Sequence, residues 1–210
     1  MTFPFVSLIG CSGARLSTWR PEDYDAYKVV RVLSGRRIAG SAWLPADGGP
    51  VRVSNAHGPL LLGWFGDRAS DVLREFRDRD PRPVLLPFPG PNRVVGAPPS
   101  GSRVLAQELS ARVGLRVLDV LRWRQPMPRC RPQGRQAFID NLIVTGSPIR
   151  IDVVLVADCI SSSVALEGAA ARLGQMGSAV VLAVSAGRVV HPARPDPFAT
   201  QVEAIDDARS

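Results

Sequence analysis

The sequence predicts an α/β protein with a parallel sheet flanked by helices, and three observations predict it. From residue 83 onward, short continuous apolar runs alternate with segments of helical period, the order that builds strand–helix–strand units. The runs are apolar throughout rather than alternating, as strands buried on both faces are. One of them, starting at Val153, leads into an acid, three consecutive serines and then a helical segment, the layout in which a parallel sheet presents a ligand site.

Composition narrows the class. The chain has 210 residues, 26 of them basic and 19 acidic, for a net charge of +7, and the basic side is 25 arginines and a single lysine, Lys28. With 45% hydrophobic and 21% charged residues, the chain is not wholly disordered. No uncharged apolar run reaches the roughly 18 residues a membrane span needs, so no membrane partner is expected. Cys11, Cys130 and Cys159 form no CxxC pair, which argues against a zinc site or a disulfide framework and for a cytoplasmic location. Residues 8–11, Leu-Ile-Gly-Cys, look like a lipoprotein cleavage box, but no basic n-region or longer apolar stretch precedes them. A buried strand ending in a turn at residues 10–13 is expected instead.

Taken in order, residues 5–10, 40–44 and 60–65 are short apolar runs bounded by Gly or Pro and read as strands. A helix is expected over residues 67–80, with Ala69, Val72, Leu73 and Phe76 inward and Pro81 as its stop. Residues 84–87 form a strand that enters a Pro- and Gly-rich loop. Ser102 then caps a helix carrying Val104, Leu105, Leu109 and Val113 inward and stopping at Gly114. Residues 116–121 are the next strand, 122–136 a polar breaker-rich stretch, and 137–144 a strand. Residues 152–157 form a strand, followed by a helix with Leu166, Ala169, Ala170 and Leu173 on one face. Residues 180–184 are the last strand, and the Pro-containing tail after residue 190 is expected to be loosely ordered or to wrap the core.

The chemistry concentrates at residues 153–173. A helix N-terminus beyond a parallel strand offers free N–H groups and a partial positive charge to a phosphate, and Ser161, Ser162 and Ser163 add hydroxyls there. The absence of a Walker Gly and Lys favours a monophosphate over a diphosphate chain. The plain alternative is a helix cap with extra serines.

This segment resembles the phosphoribosyl pyrophosphate (PRPP) signature of type I phosphoribosyltransferases: four apolar residues, two acids, two apolar residues, then a small Thr/Ser/Gly loop. Val153 to Val156 match the strand, Ala157 and Asp158 the acidic pair, and Ser161 to Ala165 the 5-phosphate loop. Val84-Leu85-Leu86-Pro87, the "ARVGL" helix end and "RQAFIDNLIV" follow the order of the competence-associated (competence protein F type) branch, without its opening cysteine cluster. The resemblance covers residues 83–190 well and implies a type I phosphoribosyltransferase-like core there, with residues 1–82 as an N-terminal hood or accessory segment and 191–210 as a tail.

On that resemblance, Asp158 is the catalytic-site acid that holds the ribose hydroxyls. Ser161, Ser162, Ser163, Val164 and Ala165 take the 5-phosphate, and Arg93, Arg122 and Arg124 meet pyrophosphate that carries Mg²⁺. The implied reaction displaces pyrophosphate from C1 by a nitrogenous acceptor, and a homodimer is the implied assembly. Two departures bear on activity. Ala157 cannot accept a hydrogen bond, which removes a contact worth roughly 1–3 kcal/mol, and Ser163 replaces a Gly, at a cost of about 1 kcal/mol if that position needs positive φ. The acid-free stretch 122–135 has five arginines and Trp123. It reads as a mobile loop over pyrophosphate, as a nucleic-acid surface with Trp123 stacking on a base, or as a solvated basic loop. A catalytically degenerate protein acting in nucleic-acid binding or regulation is the alternative function. Trp19, Trp43 and Trp64 read as core or lid residues, and His57 has no companion for a metal or general-base role.

Overall fold

The most apolar runs of the chain assemble side by side into one sheet. A computed structural model describes residues 2–79, 81–97, 100–127, 134–146 and 149–206. Strand β1 (Thr2–Ser12) is buried along most of its length and continues through Gly10 and Cys11, so the turn expected at residues 10–13 begins only at Gly13. Helix α1 (Pro21–Leu33) follows, with Pro21 in the first turn, where its missing N–H is no loss. Ala26, Val29, Val30 and Leu33 form its inward stripe. The sequence pattern gives no clear sign of this helix, because its stripe is short and lies among charged and tyrosine residues.

Arg20 and Asp23 fix the start of α1. The Asp23 carboxylate is buried and accepts from the Arg20 backbone N–H at 2.9 Å and from its guanidinium at 3.0 and 3.1 Å. The same guanidinium donates to the carbonyls of Arg194 and Pro195 in the tail.

The hairpin of β2 (Ala42–Leu44) and β3 (Val51–Val53) lies against α1 and is tied to it by Lys28 Nζ donating to the Ser41 carbonyl. Helix α2 (Gly58–Arg77) absorbs two separate expectations. The run 60–65 is its first turns rather than a strand, and Pro59 starts the helix instead of breaking the chain. Leu61, Phe65, Ala69, Leu73 and Phe76 are all buried along one face. A continuous apolar run does not distinguish strand from helix, and here the longer 3.6-residue stripe decides it.

Strand β4 (Val84–Pro87) has the expected bounds. Helix α3 (Gly101–Val113) turns Leu105, Ala106, Leu109 and Val113 inward and leaves Val104 exposed, contrary to expectation. Ser102 is not its cap: it is buried and donates to the Phe88 carbonyl at 2.6 Å, while Ser100 occupies the cap position. Gly114 ends the helix in the left-handed region, φ 73°, as Gly alone does without strain. The strand expected at 116–121 shrinks to a parallel bridge between Val117 and Leu85, and β5 (Leu121–Trp123) follows.

Residues 137–144 do not form a single strand. They split into the end of α4 (Arg135–Asn141) and β6 (Leu142–Val144), which pairs antiparallel with β5. Helix α4 lies against Gly168 of the next helix, where a Cβ would come within 2.5 Å of Phe138 Cβ, so a glycine surface admits the helix. Strand β7 (Val153–Ile160), α5 (Ser163–Gly174) and β8 (Val180–Val190) form a strand–helix–strand unit, and Leu166, Ala169, Ala170 and Leu173 are buried as expected. The tail wraps the core: Phe198 is buried, and β9 (Gln201–Asp206) pairs antiparallel with β1.

The five-stranded sheet runs β4-β7-β8-β1-β9, with all but β9 parallel. Helices α1, α2 and α3 cover one face and α4 and α5 the other, an α/β fold as the sequence predicts. Strand β1 lies between β8 and β9, so residues from both sides of position 82 share the sheet. No helix among the described residues is long and apolar enough to cross a membrane.

Side-chain alternation breaks at one level of the sheet. Leu8 and Ile9 are consecutive yet both pack in the α1-side core, and Gly187 faces Val30 of α1 although Ala186 beside it lies in the same core. Val156 and Cys159, three apart on β7, also share that face. Ile9, Gly187 and Cys159 are register partners across β1, β8 and β7, so three strands shift together.

Two outcomes are expected. A Cβ on Gly187 would stand 2.8 Å from both Val30 methyls, so Gly187→Ala destabilises by about 1–3 kcal/mol, and Val30→Ala added to it restores part of the loss in urea titrations. Hydrogen bonding from Arg20 lowers the Asp23 pKa below the usual carboxylate range. Its contribution is therefore full above the unfolded value of about 3.9 and is lost as pH falls through the lower folded value. Asp23→Asn costs about 1–2 kcal/mol at neutral pH, and the gap to wild type closes in strong acid.

Candidate functional site

The carboxyl ends of the parallel strands open into a cavity of about 850 Å³. Its floor comes from Cys11 and Ser12 of β1, Asp158, Cys159 and Ile160 of β7, and Val189 of β8. The loop after β4, from Phe88 to Pro91, and Ser161 and Ser162 before α5 form the near walls. Helix α1 covers it with Tyr27, Val30 and Arg31, followed by Ser34 and Arg36, while Trp19 closes one end and Trp123, Met127 and Phe138 the other.

Asp158 is half-buried on this floor. It accepts from the Cys159 backbone N–H at 2.9 Å and makes no ion pair with any described residue. Ala157 is 2% exposed in the α4/α5-side core, so the position matching the first acid of the signature faces away from solvent. The Cys159 thiol pKa is pushed well up by a hydrogen bond with Cys11 and by burial.

The serine loop is a helix start. Ser162 is the N-cap of α5, its hydroxyl accepting from Val164 N–H at 3.3 Å and its carbonyl from Ala165 N–H at 3.3 Å. Ser163 is the first helical residue, and its amide has no acceptor within the helix. No non-glycine residue among those described has positive φ, so the strain expected at Ser163 does not arise. Ser161, Ser162, Val164 and Ala165 line the cavity; Ser163 does not.

The arginines expected at the pyrophosphate lie outside the lining of this cavity. Arg93 is 5% exposed and its guanidinium binds Asp119 at 2.6 Å; Arg122 binds the same carboxylate at 2.8 Å and Arg103 at 3.2 Å. None of the three lines the cavity. Together they fasten the loop after β4 to β5, where Trp123 N–H also donates to the Arg93 carbonyl at 2.8 Å. Arg124 is exposed, and Arg129 and Arg131 lie outside the described residues. Among the described residues, the positive charges that do line the cavity are Arg31 and Arg36, against Asp158 as the one carboxylate. Arg31 donates to the Tyr27 hydroxyl at 3.0 Å and to the Arg37 carbonyl at 3.1 Å, and its Nε is buried without a partner among the described residues.

Trp123 is buried at 2% exposure and donates Nε1–H to the Gly90 carbonyl at 2.9 Å, with Phe88 and Phe138 against its ring. It is unavailable for stacking on a base from solution. Of the other tryptophans, Trp19 packs edge-on to Tyr24 and Tyr27, Trp64 meets Phe198, and Trp43 is exposed. His57 bonds through Nδ1 to Ser54 at the head of α2, a capping role. No group of three or more His, Cys, Asp or Glu among the described residues is placed to hold a metal ion.

No protein-family model and no curated protein matches this chain. Among solved structures, it is similar to an adenine phosphoribosyltransferase at 13% identity and a TM-score of 0.44, over 77% of this chain and 89% of that one. It is also similar to the adenine phosphoribosyltransferase from Trypanosoma brucei in complex with AMP, pyrophosphate and ribose 5-phosphate, at 10% identity and a TM-score of 0.42, over 89% and 88%.

Asp119 carries a structural load that its neighbours reveal. Asp119→Asn leaves three guanidiniums around a neutral group and is expected to cost about 3 kcal/mol in chemical denaturation, whereas Arg124→Ala, at an exposed side chain, leaves stability unchanged.

Proposed function

We propose that this chain binds PRPP, or another phosphorylated ribose, in the cavity at the strand ends. The observation that carries this reading is the placing of Asp158, a carboxylate with no ion-pair partner among the described residues, beside Ser161 and Ser162 at the N-terminus of α5, with Arg31 and Arg36 on the same cavity wall. A phosphorylated sugar presents the complement: hydroxyls that donate to a carboxylate, a monophosphate for helix-start N–H groups, and further negative charge for guanidiniums. The match of residues 153–165 to the PRPP signature supports the same assignment, residue by residue except at Ala157 and Ser163.

Asp158 accepts from the ribose hydroxyls alone, since Ala157 offers nothing. Ser161, Ser162 and the Ser163 amide hold the 5-phosphate. Arg31 and Arg36 take the part that the sequence suggested for Arg93, Arg122 and Arg124, because Arg93 and Arg122 already share Asp119. The donor set supplies one carboxylate and no metal site of its own, so Mg²⁺ belongs to the reading as the counter-ion that PRPP brings. In the transfer reaction the C1–oxygen bond to pyrophosphate breaks, a C1–nitrogen bond to the acceptor forms, and pyrophosphate leaves; the chain's residues position the sugar and balance charge. The rings of Trp19, Tyr27 and Phe88 give the remaining wall an apolar, aromatic character suited to a flat nitrogenous acceptor.

Isothermal titration with PRPP and Mg²⁺ tests this. Wild type binds; Asp158→Asn and Arg36→Ala each weaken binding about tenfold, the loss of one charge-assisted contact; Arg124→Ala has no effect. Absence of binding at millimolar PRPP overturns the assignment, and pyrophosphate release across a panel of nitrogenous bases reads out transfer.

A further inference from the structure

A second polar cavity, of about 380 Å³, lies where β8, β9 and the start of the tail meet. Because alternation breaks at Leu8 and Ile9, Gly10 turns to the same face as Ser7, away from α1. Arg194 lies flat on Gly10, where a Cβ would come within 2.5 Å of its Cδ and 2.8 Å of its Nε. The arginine is 5% exposed. Its Nη2 donates to Ser7 Oγ at 2.8 Å and Nη1 to the Ala199 carbonyl at 3.3 Å, while Nε is buried with no partner among the described residues.

Arg188 is the register partner of Gly10 on β8, so the two guanidiniums are neighbours. Its side chain is 13% exposed and lies over the Phe5 ring, with Nη2 3.5 Å from Glu203 Oε2 and Nη1 buried without a partner among the described residues. Both arginines line the cavity with His191, Gln201 and Glu203, the one carboxylate on its wall among the described residues. Burial lowers the Arg194 pKa; the Glu203 charge opposes this and the Arg188 charge adds to it. Two guanidiniums, each with an unmet donor, thus face one long contact to a single carboxylate.

Buried donors left unmet are costly, and charged ones more so. A glycine kept clear for one arginine, and one hydrogen bond each from β1 and the tail to hold it, make a built recess rather than a solvated basic patch. We infer that this recess is a second anion site, separate from the strand-end cavity, that binds a phosphate-class oxyanion between Arg188 and Arg194. A tetrahedral oxyanion accepts from both guanidiniums at once, which a single carboxylate at 3.5 Å does not. Val189 contributes to both cavities, so the two sites stand back to back across the end of β8. The site also connects to α1, because Arg20 donates to the carbonyls of Arg194 and Pro195.

Titration of the full chain with inorganic phosphate tests the inference. Wild type binds phosphate, Arg188→Gln weakens it about tenfold, and Glu203→Gln, which removes the competing carboxylate, tightens it severalfold. Arg36→Ala, in the other cavity, leaves this phase of binding intact. Should Arg188→Gln unfold the protein, Glu203→Gln decides alone. Phosphate binding that is absent, or indifferent to both variants, overturns the site. A parallel titration with ribose 5-phosphate identifies the source: tighter binding that Arg188→Gln abolishes marks the phosphoryl end of a larger ligand, and binding of phosphate alone marks the free ion. PRPP binding that responds to Asp158→Asn but not to Arg188→Gln separates the two cavities.

Discussion

The approach of α1 to the sheet at Gly187 is the constraint on which the rest of the structure depends. A valine side chain occupies the space that any other residue at 187 would fill, so the helix axis sits closer to the strand ends than side chain against side chain would permit. Two further contacts hold the helix in that position. At its C-terminal end, the Ser34 backbone abuts Gly101 at the start of α3, where a Cβ would come within 2.7 Å. At its N-terminal end, Arg20 and Asp23 bind each other and the tail. A helix fixed at both ends and in the middle is a rigid roof, and the cavity beneath owes Tyr27, Arg31 and Arg36 to it.

The shared break in alternation gives that roof a consequence on both sides of the sheet. On the α1 side it brings Ile9, Gly187 and Cys159 into the core, which leaves the floor of the strand-end cavity largely apolar around Asp158. On the opposite side it turns Gly10 outward and Arg188 with it. One local shift, repeated in three paired strands, therefore sets the polarity of two cavities. It persists because register partners must shift together: a strand that kept strict alternation beside two that did not would lose its ladder hydrogen bonds.

Much of this was legible in the sequence. The bounds of β4, the inward stripe of α5, the Gly114 stop and the position of the serine loop all follow from local signals that the folded structure keeps. The failures have identifiable causes. The run 60–65 is apolar at every position and carries no period of its own until joined to 69, 73 and 76. The stripe Ala26, Val29, Val30 and Leu33 was present in the sequence, but it lies among charged and tyrosine residues and is short, so the helix that roofs the cavity went unread. Residues 137–144 look like a strand until Asp140 and Asn141 are given weight. Local patterns fix elements, whereas the partners of Gly168 and Gly187 come from distant parts of the chain, and a glycine's reason for being small is invisible until its neighbour is known.

The arginines show the same limit in electrostatic form. Between Glu108 and Asp140, Asp119 is the only acid among seven arginines, and from sequence alone each of those arginines looks equally available. Folding distinguishes them by geometry. Arg122 converges on Asp119 with Arg93 and Arg103 from outside that span, and a phosphate would gain from Arg93 or Arg122 only by taking it from a carboxylate that already meets its charge at hydrogen-bond distance. Arg31, Arg188 and Arg194 differ because each keeps a buried nitrogen without a partner among the described residues. Binding strength follows what a cation lacks in the free protein, since a donor already paired gains little from a ligand while an unpaired buried one gains the whole bond. The net charge of +7 thus says less about anion recognition than three nitrogen atoms do, one in the wall of the strand-end cavity and two beside the recess behind it.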